Sequence, residues 1–132
     1  MPLGDLEDQV LGKILIVGCF LGLRALRETM PQNYFEWEQS TNGFDAGIRI
    51  PIFNPDCVIV DTTSLSPLDA YTICAGLRRL RKNDLVLVAI AEKGHGDHLR
   101  KEFQADVFEE PFDIALLAQR LKTQIGSRKE LV

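Results

Sequence analysis

Five short runs of apolar, largely β-branched residues punctuate this chain, and each is followed by a stretch where apolar residues recur every three or four positions. KILIVG (13–18), DCVIVD (56–61) and DLVLVAIA (84–91) are continuous apolar runs of strand length, the mark of strands buried on both faces. YFEWEQS (34–40) alternates Phe35, Trp37 and Gln39 with Tyr34, Glu36 and Glu38, which predicts a less buried strand, and DVFEE (106–110) supplies a fifth. Helical spacing follows the first run through Leu23, Leu26 and Met30 and stops at Pro31. After a turn at Asn42-Gly43, a second helix carries the apolar stripe Phe44, Ile48 and Phe53, with Pro51 expected to distort or end it. A third runs from Pro67 to Arg81 with Leu68, Tyr71, Ile73, Leu77 and Leu80 as its apolar positions. GHGDHLRKEFQ (94–104) holds a loop and a short helix, and the last helix places Ile114, Leu117, Leu121 and Ile125 on one face.

Strands alternating with helices in this way predict an α/β fold, a doubly wound five-stranded parallel sheet covered on both faces. Ligands of such sheets bind beyond the carboxyl ends of the strands, so the candidate site residues are Gly18, Cys19, Asp61, Ile90, Ala91 and Glu110. Residues 1–12 read as an acidic leader, 13–126 as the domain and 127–132 as a C-terminal tail. A chain of 132 residues, 45% hydrophobic and 26% charged, has the size and composition of one soluble domain with one core.

Charge narrows the list of partners. A net charge of −4 argues against a general grip on nucleic acid. The basic cluster LRRLRK, with Arg78, Arg79, Arg81 and Lys82, closes a predicted helix, where cations complement the negative end of the helix dipole. Cys19, Cys57 and Cys74 form no CxxC pair and read as reduced, buried thiols of a cytoplasmic protein. No run approaches the about 18 apolar residues of a membrane span, and the acidic opening MPLGDLEDQVLG is unlike a signal peptide.

Other constellations carry little chemistry. His95 and His98 sit three apart around Asp97, but a zinc site needs further ligands on a fixed scaffold, and a solvated loop explains them. Ser64 and Ser66 have no histidine partner in a nucleophile motif. GCFLGL lacks the glycine run and the lysine of a phosphate loop.

KILIVG, STNGFDAG, PDCVIVD, LVLVAIAE and ADVFEEPF, in this order and spacing, resemble the receiver domains of two-component response regulators, from Lys13 to Ile125. The resemblance implies the flavodoxin-like, CheY-like (βα)5 fold and places Asp61 where the family carries its phosphoacceptor aspartate. The family's acidic pair after the first strand, which holds a magnesium ion, is replaced here by Gly18 and Cys19. Its hydroxyl residue at the end of the fourth strand is Ile90, and its lysine before proline at the end of the fifth is Glu110. An acid there repels a phosphoryl group that the lysine would attract. The family's aromatic switch position is Val107, and the loop after Asp61 is a residue or two longer, with Asp69-Ala70 nearest to the family's Asp-Gly.

These departures lead to the expectation of a pseudo-receiver. It would be a non-catalytic signalling module that binds a protein partner, such as a kinase or regulator, independently of phosphorylation and with no cofactor or metal. In this reading Asp61 accepts hydrogen bonds from backbone amides of the loop after it. The alternative is an atypical response regulator phosphorylated on Asp61 in a phosphorelay, with Glu110 helping to hold magnesium; a third reading is a small-ligand sensor using the emptied pocket. The face formed by the fourth helix, fifth strand and fifth helix, through which receivers commonly dimerise, carries Lys101, Glu102, Val107, Arg120 and Lys122, and a second copy of the chain is a candidate partner there.

Overall fold

Strands and helices alternate in the order β1 (Gly12–Val17), α1 (Leu23–Thr29), β2 (Phe35–Ser40), α2 (Gly43–Phe53), β3 (Cys57–Asp61), α3 (Pro67–Arg81), β4 (Val86–Ala91), α4 (Asp97–Phe103), β5 (Asp106–Glu109) and α5 (Ile114–Glu130) in a computed structural model. It describes residues 12–30, 34–81 and 84–130, so residues 1–11 of the expected leader and the expectations for Pro31 and Lys82 lie outside the described residues, while Gly12, expected in the leader, opens β1. The strands form one wholly parallel sheet in the order β2-β1-β3-β4-β5. The chain order reverses between β1 and β3, which leaves a crevice at their carboxyl ends.

Successive side chains of a strand point to opposite faces, and here both faces are buried. Leu15, Val17, Val58, Val60, Leu87 and Ala89 face α2, α3 and α4, where Phe53, Ile73, Leu77, Leu99 and Phe103 meet them. Ile14, Ile16, Cys57, Ile59, Val88 and Ile90 face α1 and α5, against Leu26, Leu117, Leu121 and Ile125. This two-sided burial is why β1, β3 and β4 read as unbroken apolar runs. Edge strand β2 alternates only at its start, with Phe35 buried, Glu36 exposed and Trp37 half-buried beneath the Arg27 guanidinium, 5.8 Å from its ring; at its end Gln39, expected on the inner face, is exposed and Ser40 is buried.

Four expectations about the helices change. Helix α2 continues through Pro51 to Phe53, and Asn54, in the left-handed region at φ 53°, ends it by donating its N–H to Ile50 O. Its predicted stripe divides: Phe53 is buried with Ala46, while Phe44 (82% exposed) and Ile48 (50%) face solvent. In α3 the buried positions are Ala70, Ile73, Cys74 and Leu77, and Leu68, Tyr71 and Leu80 are exposed. Helix α5 runs on to Glu130, into the stretch expected as a tail.

Arg78 is not a solvated member of the basic cluster. Its guanidinium donates to the carbonyls of Phe103, Leu85 and Gln104, tying α3 to the start of β4 and the end of α4. Arg49 links α2 to edge strand β2 through Asp45 (2.8 Å) and Glu38 (3.2 Å). The Arg49 guanidinium, with a smaller pull from the Ser40 hydroxyl, holds the Asp45 carboxyl below its ordinary value, and Asp45 in turn raises Arg49.

Candidate functional site at the carboxyl end of the sheet

Asp61 ends β3 in the middle of the sheet and is 3% exposed. Its Oδ1 accepts from the Thr63 backbone N–H (3.1 Å) and the Thr63 hydroxyl (2.6 Å), closing an Asx-type turn on its own loop. The neighbouring hydroxyls fasten that loop to the other strand ends. Thr62 donates its N–H and its Oγ1 to Ile90 O, at 2.9 and 2.8 Å, joining β3 to β4. Ser64 Oγ donates to Asp61 O (3.2 Å) and accepts from Cys19 N (2.9 Å), joining β3 to the segment after β1.

Gly18 completes the junction. It sits at φ +108°, where a side chain is strained, and a Cβ there would lie 2.6 Å from Ser64 Oγ and 3.2 Å from Asp61 Cβ. Ser64 thus fills the space into which a side chain at position 18 would project. Gly18 N donates to Ser40 O (2.7 Å), and Gln39 Nε2 donates to Gly18 O (3.0 Å), locking the turn to the end of β2. Cys19 is exposed, which corrects its expected burial: the residue lies past the end of β1, where the chain leaves the sheet. Cys57 and Cys74 are buried, and burial pushes the Cys74 thiol up to about 12 against a smaller opposing pull from Arg78.

Ile90 is fully buried and contributes only its carbonyl to this end of the molecule. Glu110 is exposed beyond β5, its N–H bonded to Ala91 O. Its neighbour Glu109, which sequence reasoning passed over, holds the β4–α4 loop by accepting from Gly94 N and Gly96 N, both at 3.1 Å. A Cβ at Gly96 would lie 2.6 Å from Val107 Cγ1 and 2.7 Å from Glu109 Oε2, so glycine permits that close approach. The pair of backbone donors flanking His95 could have suggested an acceptor opposite them, but its identity depends on the β4–β5 register.

Magnesium asks for several hard oxygens around one point, usually including more than one carboxylate. Gly18 and Cys19 supply none, Ser64 occupies the space beside Gly18, and Asp61 Oδ1 is engaged by Thr63. Among the described residues no three His, Cys, Asp or Glu side chains gather so as to hold a metal. The donor set does not fit the ion. His95 and His98 are both exposed, with His95 Nδ1 3.7 Å from Glu92 Oε2.

On the α4–β5–α5 face, Lys101, Glu102 and Lys122 are exposed and Val107 is half-buried against the core. Arg120 is committed within the chain, 3.0 Å from Asp106 Oδ2, which also accepts from Gln124.

Solved structures share this architecture closely. A putative response regulator from Chloroflexus aurantiacus superposes with a TM-score of 0.71 at 22% identity, covering 86% of this chain and 97% of its own. The signal receiver domain of a DNA-binding response regulator from Colwellia psychrerythraea gives 0.70 at 21% identity, with the same coverage. The chain has the receiver-domain fold. The chemotaxis response regulator CheY4 of Vibrio cholerae extends the likeness, at a TM-score of 0.66 and 14% identity over 89% of this chain and 98% of that one. A scan against models of known protein families finds no match, and neither does a search of curated proteins. Within this receiver fold, Asp61 lies at the end of the central strand. Among the described residues no helix is long and apolar enough to cross a membrane.

Proposed function

We propose that this chain is a pseudo-receiver: a signalling module of the receiver fold that acts through protein–protein contact, without accepting a phosphoryl group and without catalysis of its own. The observation that carries the reading is the junction of Asp61, Ser64 and Gly18. Where a phosphoryl-accepting site needs converging carboxylates and a metal, Ser64 Oγ takes up the space beside Gly18, and Thr63 engages the aspartate. Glu110 in the lysine position adds the wrong sign of charge for a phosphoryl group. Its partner is a protein, a kinase or another regulator, and its place of action is the cytoplasm. The exposed Lys101, Glu102 and Lys122 offer charged contacts on the α4–β5–α5 face.

The test is an amide chemical-shift titration of labelled protein with magnesium and beryllofluoride, a mimic of aspartyl phosphate. The amides of Gly18, Cys19, Asp61, Ile90 and Glu110 are expected to stay in place up to millimolar magnesium. A joint, saturating shift of these amides would overturn the reading and make the protein a phosphoacceptor with a rebuilt site.

A further inference from the structure

Helices α2 and α3 lie side by side, running in the same direction. At one end a Cβ added to Gly43 would lie 3.4 Å from Asp69 Oδ1 and from Ile73, and at the other Asn54 and Leu80 line the same groove. The cavity between them measures about 550 Å³ and is mostly apolar. Gly47 and Gly76 line it from the interiors of the two helices, and a Cβ added to either would meet nothing within 4 Å. A glycine inside a helix costs about 1 kcal/mol relative to alanine. Packing within the chain gives no reason for either one, whereas an occupant approaching the groove closely does.

Beside the groove stands a ridge. Phe44, Ile48 and Ile52 follow one another at four-residue steps along α2 and are 82, 50 and 80% exposed. Leu68 (75% exposed) and Leu80 (76%) extend the apolar surface onto α3. Ile48, Ile52 and Leu68 lie outside the groove lining, so a small molecule filling the cavity leaves them in water. An occupant that covers them must be large.

The charges of this face complement themselves. Asp69 and Arg79 line opposite ends of the groove, ten residues apart on α3 and therefore about 15 Å along its axis. Among the described residues neither is in an ion pair within the chain. Their midpoint is Cys74, and the midpoint of Phe44 and Ile52 is Ile48. A two-fold axis crossing both helices near these midpoints sets α2 against α2 and α3 against α3, antiparallel, so that Asp69 of each copy comes opposite Arg79 of the other and the two ridges pack on each other, Phe44 toward Ile52 and Ile48 toward its counterpart. A foreign partner would need no such balance of opposite charges about a centre.

We propose that the α2–α3 face is a homodimer interface, in which the Phe44–Ile48–Ile52 ridges of the two copies pack against each other, the Gly47–Gly76 grooves face each other, and Asp69 and Arg79 pair reciprocally. This is a different face from α4–β5–α5, and the inference holds whether or not Asp61 is chemically silent.

Sedimentation velocity of the full chain across a concentration series tests it without any phosphodonor. The wild type is expected to pass from the monomer mass of 14.8 kDa to twice that value. Ile48→Glu, at an exposed position near the axis, is expected to give monomer, and Ile48→Ser to weaken the dimer, with thermal melts unchanged. Asp69→Arg and Arg79→Asp alone should each raise the dissociation constant about tenfold or more by setting like charges opposite each other, and the double exchange should recover most of the loss. A wild type that stays monomeric at millimolar concentration overturns the proposal, even where an amphipathic helical peptide or an apolar small molecule then fills the groove. So does a dimer indifferent to Ile48→Glu, or a double exchange no tighter than its single variants.

Discussion

At the scale of single residues, the hydroxyls after Asp61 decide what the aspartate can be. The hydroxyl oxygens of Thr62, Thr63 and Ser64 are each directed to a different partner: Ile90 O, Asp61 Oδ1 and Asp61 O. The missing acids at positions 18 and 19 were legible from residue identity alone. That Ser64 closes the space beside Gly18 was not, because it depends on the turn bringing residue 64 back over the end of β1. A sign prediction follows. A phosphoacceptor crowded by other carboxylates is strained by like charge, and its removal relieves that strain. Asp61 instead accepts two hydrogen bonds, so Asp61→Ala should destabilise the fold by about 1–2 kcal/mol, while Asp61→Asn, which keeps an acceptor, should cost less. Urea unfolding of the two variants checks it, and stabilisation by Asp61→Ala would speak against the described environment.

At the scale of elements, the strands were far more legible than the facing of the helices. A short apolar run rich in β-branched residues and bounded by turn signals points to a strand buried on both sides, whereas α2 and α3 each carry apolar residues around most of their circumference, and periodicity alone does not say which stripe the sheet will cover. The sheet took Ala46, Phe53, Ile73, Cys74 and Leu77 and left Phe44, Ile48, Leu68 and Leu80 outside. The partners of Arg78 were not legible for a related reason: the carbonyls of Leu85, Phe103 and Gln104 lie beyond its own helix, two of them 25 and 26 residues on. Arg78→Ala strips donors from all three and should cost about 3 kcal/mol in denaturant unfolding, with Arg78→Lys recovering only part, since a lysine lacks the planar fork. Arg49 makes a pH-dependent contribution. Asp45 ordinarily titrates near 3.8 and is held lower in the folded chain by Arg49, so its contribution is present above that pH and is lost as pH falls through the folded value. The stability difference between wild type and Arg49→Met should therefore be constant above about pH 5 and shrink steadily on acidification below pH 4. A difference that grew in acid would contradict the assigned pairing.

At the scale of the whole molecule, the three cysteines sample three depths of one cooperative structure. Cys57 lies in β3 between β1 and β4, Cys74 faces the sheet from α3, and Cys19 stands exposed where the chain leaves β1. A thiol reacts as its thiolate and only where reagent can reach it. With its thiol pushed up to about 12, Cys74 is protonated at neutral pH as well as covered, so both conditions fail there until the helix leaves the sheet. Native protein should consequently react with one equivalent of a disulfide reagent at once, at Cys19. Cys57 and Cys74 should label slowly, at rates that rise with denaturant along the slope of global unfolding, if the two core layers that cover them on opposite faces of the one sheet open together. Cys74 labelling with a shallow denaturant dependence while Cys57 stays protected would show α3 detaching as a separate unit. The groove between α2 and α3 would then be a place where the domain opens, and self-association through that face would be measurable as slower Cys74 labelling at higher protein concentration.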